Sequence, residues 1–343
     1  MREDHDLAPL LQYENIAWYE DGAVRLLDRR VYPAEERFVV CRTYAEVRDA
    51  IRSMVTQSYG PFHAAVMGMA LAAYACRDMP AGRQAAYLAE AGDALANARP
   101  TTAWKMRRWT DEALRTAQEA LAAGERPLDA IQKHALDKFN ARYRRIAAAG
   151  RHLAALVPAG GAVMTQCYAD VELGMLLRAL RENGNAARFF CPETRPYLQG
   201  ARLTASVILD MGFEVTLITD NMPAWTMREK RIDMFTSAAD VICMDGHIVN
   251  KVGTLQIALA ADYLGIPYYV SGVPDASHPT TEGLRIEERD PEEVLCFMGR
   301  RSCKPGVRAW YPAFDVTPPA LVAGVATDQG ILAPTALADY RFF

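Results

Sequence analysis

The sequence predicts an α/β protein in which a mainly helical N-terminal domain, residues 1–150, precedes a doubly wound parallel sheet in residues 151–343. Two observations support this division. The first part is rich in Ala, Leu, Arg, Gln and Glu, which favour helices. In the second part, short apolar runs recur with helix-like segments between them, which is typical of right-handed strand–helix–strand units. The 343 residues supply enough chain for two packed cores.

The N-terminal elements follow from hydrophobic spacing and turn residues. In chain order, the pattern predicts a short β element at 24–31, two helices within 43–74, and further helices at 81–98 and 110–149. The two helices within 43–74 are separated by a turn at 56–61, where Gly60-Pro61 ends a polar interruption. The last helix is broken at 124–127, between Gly124 and Pro127.

Five buried strands are predicted in the C-terminal part, at 162–165, 188–191, 215–218, 241–244 and 268–270, with helices at 171–182, 198–211 and 251–264. Sheets of this class bind ligands outside the carboxyl ends of their strands. The polar residues that follow the predicted strands are therefore site candidates: Cys167, Glu193, Asp220, Asn221 and Asp245.

A thiol and carboxylates at one sheet edge indicate proton-transfer chemistry. Burial would raise the pKa of a carboxyl group, so that it holds a proton at neutral pH. Cys191 and Cys243 lie within apolar runs, and we interpret both as core residues. His247 lies two residues after Asp245, so it is a further candidate at the same edge.

Two cationic segments could bind an anion. Arg195 either binds a phosphate bidentately or pairs with Glu193 within a solvated loop. Asn250-Lys251 lies at the start of the predicted helix 251–264, where backbone N–H groups favour negative charge. The motifs GxGxxG and GxxxxGK[ST] are absent, which disfavours NAD and ATP. The acidic run 287–293 is interpreted as a solvated helix start without chemistry.

Composition excludes several classes of function. The net charge of −4 provides no basic field for nucleic acid, and no apolar run approaches the 18 or so residues of a membrane span. The seven cysteines form no CxxC pair, and the six histidines show no metal-ligand spacing, so neither disulfides nor a metal is expected. An N-terminus rich in acids is unlike a secretion signal, and we expect a cytoplasmic protein.

Several separated motifs resemble those of the methylthioribose-1-phosphate isomerase family, whose relatives include the regulatory subunits of translation initiation factor 2B. The matching segments are 27–30 (LDRR), 67–72 (MGMALA), 193–204 (ETRPYLQGARLT), 219–222 (TDNM), 249–254 (VNKVGT) and 312–318 (PAFDVTP). The resemblance covers nearly the whole chain. It implies a Rossmann-like C-terminal domain, a homodimer, and conversion of an aldose 1-phosphate to a ketose 1-phosphate without a nucleotide cofactor.

The resemblance also implies roles for individual residues. The family's catalytic cysteine falls on Cys167. Its catalytic aspartate follows the fourth strand, in a Gly-Ala-Asp triplet before a loop, and Asp245 is the match chosen here, with several loop residues missing. In an alternative alignment Asp245 ends that loop, the acid is deleted, and His247 replaces it. The family's substrate-binding positions match Arg99, Gln199, Asn250 and Lys251.

The clearest departure is the loop where family members carry Arg-Gly-Ala-Pro. Here Gln57 and Ser58 occupy it, and Gln57 cannot replace a guanidinium. Loss of a charge-assisted contact of about 1.5 to 3 kcal/mol would weaken phosphate binding unless another cation compensates. Candidates for that compensation are Lys105, Arg107 and Arg108.

Three hypotheses follow from these motifs. The first is a sugar-phosphate isomerase in which Asp245 protonates the ring oxygen and Cys167 helps to move hydrogen between C1 and C2. The second keeps the fold but acts on another ribose derivative, including an N-glycoside that undergoes an Amadori-type rearrangement. The third is a noncatalytic regulatory protein that binds a sugar phosphate or nucleotide.

Overall fold

The computed structural model describes residues 2–99 and 103–342, and the chain separates into two compact units between Tyr143 and Arg144. This division lies inside the long helix α6 (Pro127–Ala154), a few residues before the boundary expected at 150. No helix within the described residues combines the length and the apolar character needed to cross a membrane.

The N-terminal unit combines a small antiparallel sheet, in the order β1–β2–β3, with a set of helices. Its elements are α1 (Tyr13–Ile16), β1 (Trp18–Glu20), β2 (Ala23–Leu27), β3 (Phe38–Cys41), α2 (Tyr44–Arg52), α3 (Gly60–Ala75), α4 (Ala81–Ala96), α5 (Ala103–Ala122) and the first part of α6. The predicted helices and the turn at 56–61 are confirmed. Thr43 and Glu46 form a capping box at the start of α2, which satisfies two otherwise free backbone donors.

The C-terminal unit contains a seven-stranded sheet and two smaller sheets, β11–β12 and β13–β9–β8. Its strands are β4 (Ala162–Met164), β5 (Arg188–Pro192), β6 (Glu214–Ile218), β7 (Met234–Ala238), β8 (Val241–Ile242), β9 (Ile248–Lys251), β10 (Tyr268–Ser271), β11 (Cys296–Phe297), β12 (Arg300–Arg301), β13 (Phe314–Thr317), β14 (Gly324–Thr327) and β15 (Gly330–Leu332). Its helices are α7 (Val171–Glu182), α8 (Ala205–Asp210), α9 (Pro223–Glu229), α10 (Thr254–Tyr263) and α11 (Glu292–Leu295).

The large sheet has the order β15–β14–β10–β7–β4–β5–β6, and all neighbouring pairs except β14–β15 are parallel. This confirms the predicted α/β class with a doubly wound sheet. The strands expected at 162–165, 188–191, 215–218 and 268–270 are all present.

The prediction that residues 241–244 form a strand of the large sheet is wrong. The fourth strand of the sheet along the chain is β7, whereas Val241–Ile242 belongs to a separate antiparallel sheet in the order β13–β9–β8. The reason is that β7 contains Thr236 and Ser237, whose polarity conceals a buried strand from hydropathy. The Ser237 hydroxyl lies 2.7 Å from the Tyr268 hydroxyl, so its burial is compensated by a hydrogen bond.

Candidate active site

The sheet reverses its winding between β4 and β7. After β4 the chain adds β5 and β6 on one side, and it then returns to place β7 on the other side of β4. Such a switch point opens a crevice between the carboxyl ends of the two strands, where this sheet class binds ligands. Cys167 follows β4 by three residues and Asp240 follows β7 by two. The topology therefore directs a thiol and a carboxylate to one crevice.

The Cys167 backbone adopts an unusual conformation. Its φ angle is 58°, in the left-handed region that residues other than glycine rarely adopt. The Thr204 hydroxyl donates a hydrogen bond to the Cys167 carbonyl, and the Gln166 amide donates to the Val252 carbonyl at 3.3 Å. Such conformations cluster at functional sites, where surrounding contacts hold them in place.

Burial raises the pKa of the Cys167 thiol to about 11. The negative charges of Asp240 and Asp220 add to this rise, whereas the Lys251 ammonium opposes it. The resting thiol is therefore protonated at neutral pH, and Lys251 is the neighbour that favours its thiolate.

Lys251 is only 5% exposed and ends strand β9. Its Nζ lies 5.1 Å from the ring centre of Phe314 and 5.9 Å from that of Tyr311. Within the described residues its ammonium forms no hydrogen bond or ion pair, and burial lowers its pKa. A buried cation that forms no direct carboxylate contact favours negative charge that develops beside it, such as that of a thiolate.

The helix start expected at Asn250-Lys251 is wrong, because both residues lie in β9 and α10 begins later, at Thr254. The helix N-terminus is already occupied by a carboxylate. Asp315 Oδ2 accepts hydrogen bonds from the Gly253 and Leu255 amides at 2.7 and 3.1 Å. Burial outweighs these bonds and raises the pKa of Asp315 to about 6. Asn250 instead donates to the Thr254 hydroxyl at 3.0 Å.

Asp220 organises the loop after β5. Its carboxylate accepts hydrogen bonds from the Thr194 and Arg195 amides at 2.8 and 2.7 Å. Burial, together with the nearby Asp220, raises the pKa of Glu193, which begins this loop. Asn221, the next residue after Asp220, is exposed.

Arg195 does not form the expected ion pair with Glu193 within the described residues. Its guanidinium donates instead to the Val294 and Cys296 carbonyls, each at 3.0 Å. Arg195 therefore anchors segment 292–297 to the loop. The sequence could not predict this role because the partner carbonyls are about a hundred residues away.

Gln199 is buried, and its side-chain oxygen has no hydrogen-bond partner within the described residues. The residue after it must be glycine, since a Cβ on Gly200 would lie 1.8 Å from the Pro192 carbonyl oxygen. This close approach holds the adjacent Gln199 near the end of β5.

Asp245 and His247 lie in the turn between β8 and β9 of the small antiparallel sheet. The His247 Nδ1 is 3.1 Å from the Asp245 carboxylate, which also accepts from the His247 amide at 3.2 Å. Gly246 has a φ of 89°, as expected for a tight turn. Because the fourth strand of the sheet is β7, the aspartate that follows it is Asp240, five residues before Asp245.

Three of the expected binding residues, Gln57, Ser58 and Arg99, belong to the N-terminal unit. Gln57 is buried, its carbonyl accepts from Arg29 at 2.8 Å, and its side-chain oxygen has no hydrogen-bond partner among residues 2–99 and 103–342. Ser58 is exposed with a φ of 57°, and Arg99 is half-buried. Of the motif around Arg99, Pro100 and Thr101 lie outside the described residues.

The cations expected to compensate for Gln57 have other contacts. Arg107 pairs with Asp93 at 2.8 Å and Arg108 with Glu112 at 3.5 Å, while Lys105 lies over the Trp104 ring. His63, close to the same loop, stacks on Phe139 with ring centres 3.7 Å apart, and burial lowers its pKa well below the usual value. His63 is therefore a neutral packing residue.

A cavity of about 10 Å³ lies behind Cys167, lined in part by Gln166, Thr204, Ser237 and Ser271. This volume holds roughly one water molecule. Among residues 2–99 and 103–342, no three His, Cys, Asp or Glu side chains converge in a way that could hold a metal ion.

Sequence reasoning missed a second group of polar side chains near Cys167 and Lys251. Its members are Tyr197, Glu287, Arg289, Glu293 and Tyr311. Three of them come from the acidic run to which no chemistry was assigned. Their placement depends on pairing between residues 287–289 and 311–313, which leaves no local signal in the sequence.

Comparison with known proteins assigns the chain to a family. The model of the initiation factor 2 subunit family (IF-2B) matches residues 63–334. The chain belongs to this family. Its curated relatives include the methylthioribose-1-phosphate isomerases of Anaeromyxobacter sp. (strain K), 39% identical over 92% of each chain, and of Thermotoga maritima, 34% identical over 94% of this chain and 96% of its relative.

Solved structures of the family agree with this assignment. The 5-methylthioribose 1-phosphate isomerase from Pyrococcus horikoshii has a TM-score of 0.84 and 28% identity, with 99% of this chain and 98% of that chain covered. The delta subunit of translation initiation factor eIF-2B from A. fulgidus has a TM-score of 0.82 and 29% identity, with 93% and 96% covered. The fold is thus shared by family members whose names describe an enzyme and a translation factor subunit.

Proposed function

We propose that the protein is an aldose–ketose isomerase that converts a 5-substituted ribose 1-phosphate, such as methylthioribose 1-phosphate, to the ribulose 1-phosphate. The observation that carries this proposal is the switch-point crevice, which receives Cys167 from β4 and Asp240 from β7. The relatives named as methylthioribose-1-phosphate isomerases, at 34 to 39% identity, support the same reaction class.

We propose Asp240 as the acid in place of Asp245. The family's catalytic aspartate follows the fourth strand in a Gly-Ala-Asp triplet, and the fourth strand here is followed by Ala239-Asp240, after Ala238. With this placement the interval from the acid to Asn250 is ten residues rather than five, so no loop residues need be missing. The reason for a deleted acid, and for His247 as its substitute, then disappears.

The residues have distinct tasks in the reaction. Asp240 donates a proton to the ring oxygen as the C1–O4 bond breaks, which opens the furanose. Hydrogen then moves from C2 to C1, and the C2 hydroxyl gives its proton to the Asp240 carboxylate that the first step produced, so that C2 becomes a carbonyl and Asp240 is protonated again. Cys167 lies at the edge where this transfer takes place, and Lys251 stabilises negative charge that develops on the thiol or on the substrate. Glu193, Gln199 and Asn250 supply polar contacts around the sugar.

The loop at Gln57 differs from the family motif in a residue that is expected to bind phosphate. Gln57 cannot supply the charge of the arginine expected in that loop, and the guanidinium groups of Arg107 and Arg108 are paired elsewhere. This observation favours a second candidate function, isomerisation of another ribose derivative, including an Amadori-type rearrangement of an N-glycoside. The two candidates share the crevice and differ in the group attached at C1 or C5.

We further propose a homodimer. Large apolar side chains are exposed on two contacting helices of the C-terminal unit, Trp225 of α9 at 65% and Tyr263 of α10 at 88%. A dimer interface formed by these two helices would cover both side chains. Light scattering behind size-exclusion chromatography is expected to give twice the chain mass of 38.0 kDa.

The activity is tested by phosphorus and proton NMR of the protein incubated with methylthioribose 1-phosphate or ribose 1-phosphate. We expect a ketose 1-phosphate signal that is absent with Cys167→Ser and retained with Cys303→Ser, a matched change at a partly buried thiol in another segment. Turnover that survives in Cys167→Ser would contradict the proposed site. A wild-type protein that binds either substrate without converting it would favour the noncatalytic, regulatory reading.

A further inference from the structure

The pairing of two distant chain segments brings polar side chains beside Lys251. The Arg289 amide donates to the Tyr311 carbonyl at 2.9 Å, and the Ala313 amide donates to the Glu287 carbonyl at 2.7 Å. The chain then enters β13, where Phe314 pairs with Lys251 of β9. Tyr311 and Arg289 are thereby carried to the same end of β9 as the buried lysine.

Hydrogen bonds among these polar side chains satisfy only some of their donors and acceptors. Arg289 Nε donates to one oxygen of Glu287 at 3.1 Å, and the Tyr197 hydroxyl donates to one oxygen of Glu293 at 3.2 Å. The Arg289 guanidinium also lies 5.5 Å from the Tyr197 ring centre. These contacts hold the two carboxylates in fixed orientations.

Three polar atoms of the group have no hydrogen-bond partner within the described residues. They are the Tyr311 hydroxyl and the second carboxylate oxygens of Glu287 and Glu293. Tyr311 is 2% exposed, and all three atoms are buried. An unsatisfied buried polar group costs about 1–3 kcal/mol, so native structures keep few of them without a ligand or ordered water.

The unsatisfied atoms define the chemistry of the ligand. Two cations, Lys251 and Arg289, face two carboxylates, Glu287 and Glu293, so the group offers no net charge to an anion. A neutral hydroxyl is complementary to it, because a hydroxyl can accept from the Tyr311 phenol and donate to the Glu293 carboxylate. Cys167 lies close enough for its charge to raise the pKa of Tyr311, although burial is the larger cause.

We propose that Tyr311 and Glu293 form a specificity subsite that binds the C3 hydroxyl of the pentose. The inference rests on the proposed isomerase function. The C2 hydroxyl becomes the product carbonyl, so the C3 hydroxyl is the first along the sugar that persists through the reaction. Tyr311 donates to it and Glu293 accepts from it, while Arg289 and Tyr197 orient the carboxylate. Sites built to hydrogen-bond a substrate hydroxyl discriminate strongly against analogues that lack it.

The test compares kcat/KM for the pentose 1-phosphate that the wild-type protein converts with kcat/KM for its 3-deoxy analogue. We expect the wild type to prefer the hydroxylated substrate by about 10- to 100-fold. In Tyr311→Phe and in Glu293→Gln, kcat/KM for the hydroxylated substrate falls about tenfold or more. For the 3-deoxy analogue it changes by less than about twofold, so the preference collapses.

Tyr340→Phe is the matched control. It removes a buried tyrosine hydroxyl that bonds to Asp328 at 2.9 Å, outside the proposed subsite. We expect it to preserve the preference for the C3 hydroxyl. A Tyr311→Phe protein that is slowed equally on both substrates would overturn the proposal, because a merely structural tyrosine, or one that binds an internal water, has that effect. A wild type indifferent to the C3 hydroxyl would overturn it as well.

A binding measurement separates this proposal from the isomerase proposal. Calorimetric titration with ribose 1-phosphate and 3-deoxyribose 1-phosphate requires no turnover. If the wild type converts neither compound, the isomerase assignment fails, but tighter binding of ribose 1-phosphate that is lost in Tyr311→Phe still supports the subsite. Equal binding of both ligands, or binding of neither, would overturn the subsite.

Discussion

The end of β7 and the β8–β9 turn each present an aspartate, and they differ in what surrounds it. Asp240 follows a strand of the large sheet beside β4, where the winding reverses, and it lies close enough to influence the pKa of both Cys167 and Lys251. Asp245 belongs to a turn of a small antiparallel sheet and pairs with its neighbour His247. The difference teaches that topology, more than residue type, determines which carboxylate can take part in chemistry at this sheet.

Among substitutions near the crevice between β4 and β7, we expect Gly200→Ala to have the largest effect on stability. The new Cβ would lie 1.8 Å from the Pro192 carbonyl oxygen, so the end of β5 and the adjacent Gln199 must shift. We expect a loss of about 1–3 kcal/mol in the free energy of unfolding, measured by urea denaturation. Gly82→Ala in helix α4, where a Cβ meets nothing within 4 Å, is the control and should be neutral or slightly stabilising. Equal stability of the two variants would contradict the tight packing at this edge.

Lys251→Met tests whether the crevice is electrostatically coupled. Because the ammonium favours the thiolate, its removal should raise the pKa of Cys167 further. Alkylation of Cys167 by iodoacetamide, followed by mass spectrometry between pH 8 and 10, should slow roughly tenfold, which corresponds to a change of one unit in pKa. Lys304→Met, a change in a different segment from Lys251, serves as the control. An unchanged alkylation profile in Lys251→Met would contradict the coupling.

We expect the smallest effect on stability and turnover from a substitution in the β8–β9 turn. His247→Ala removes the contact with Asp245, but both side chains are about one-third exposed, at 31% each. Pairs of this kind contribute about 0.2–1 kcal/mol, and salt screens them. We therefore expect a shift in the urea midpoint at the limit of detection and turnover close to that of the wild type. A large loss of turnover would show that the β8–β9 turn takes part in the reaction, and it would contradict the distinction between Asp240 and Asp245.

The sequence indicates part of the candidate site because some of the information is local. Apolar runs located β4, and the short segment after it contains Cys167, which the family resemblance selected as well. The strand before Asp240 was missed because Thr236 and Ser237 are polar yet buried, with Ser237 bonded to Tyr268. Hydropathy cannot detect a polar residue whose partner lies on a neighbouring strand.

The environment of Lys251 could not be predicted from the sequence for a related reason. Tyr311 and Arg289 are 60 and 38 residues beyond it in the chain, and only backbone pairing brings them to β9. The helix start near Asn250 was misplaced because β9 and α10 are separated by only Val252 and Gly253. Such short connections leave the end of a strand and the start of a helix ambiguous in the pattern.

The most direct test compares turnover of Asp240→Asn with that of Asp245→Asn, using the substrate that the wild type converts. Each change replaces one carboxylate by its isosteric amide, so a loss of proton donation is separated from a change of shape. We expect Asp240→Asn to lower kcat by about 10²–10⁴-fold, the range for loss of a general acid, and Asp245→Asn to stay within about threefold of the wild type. A severe loss in Asp245→Asn with normal turnover in Asp240→Asn would contradict the account.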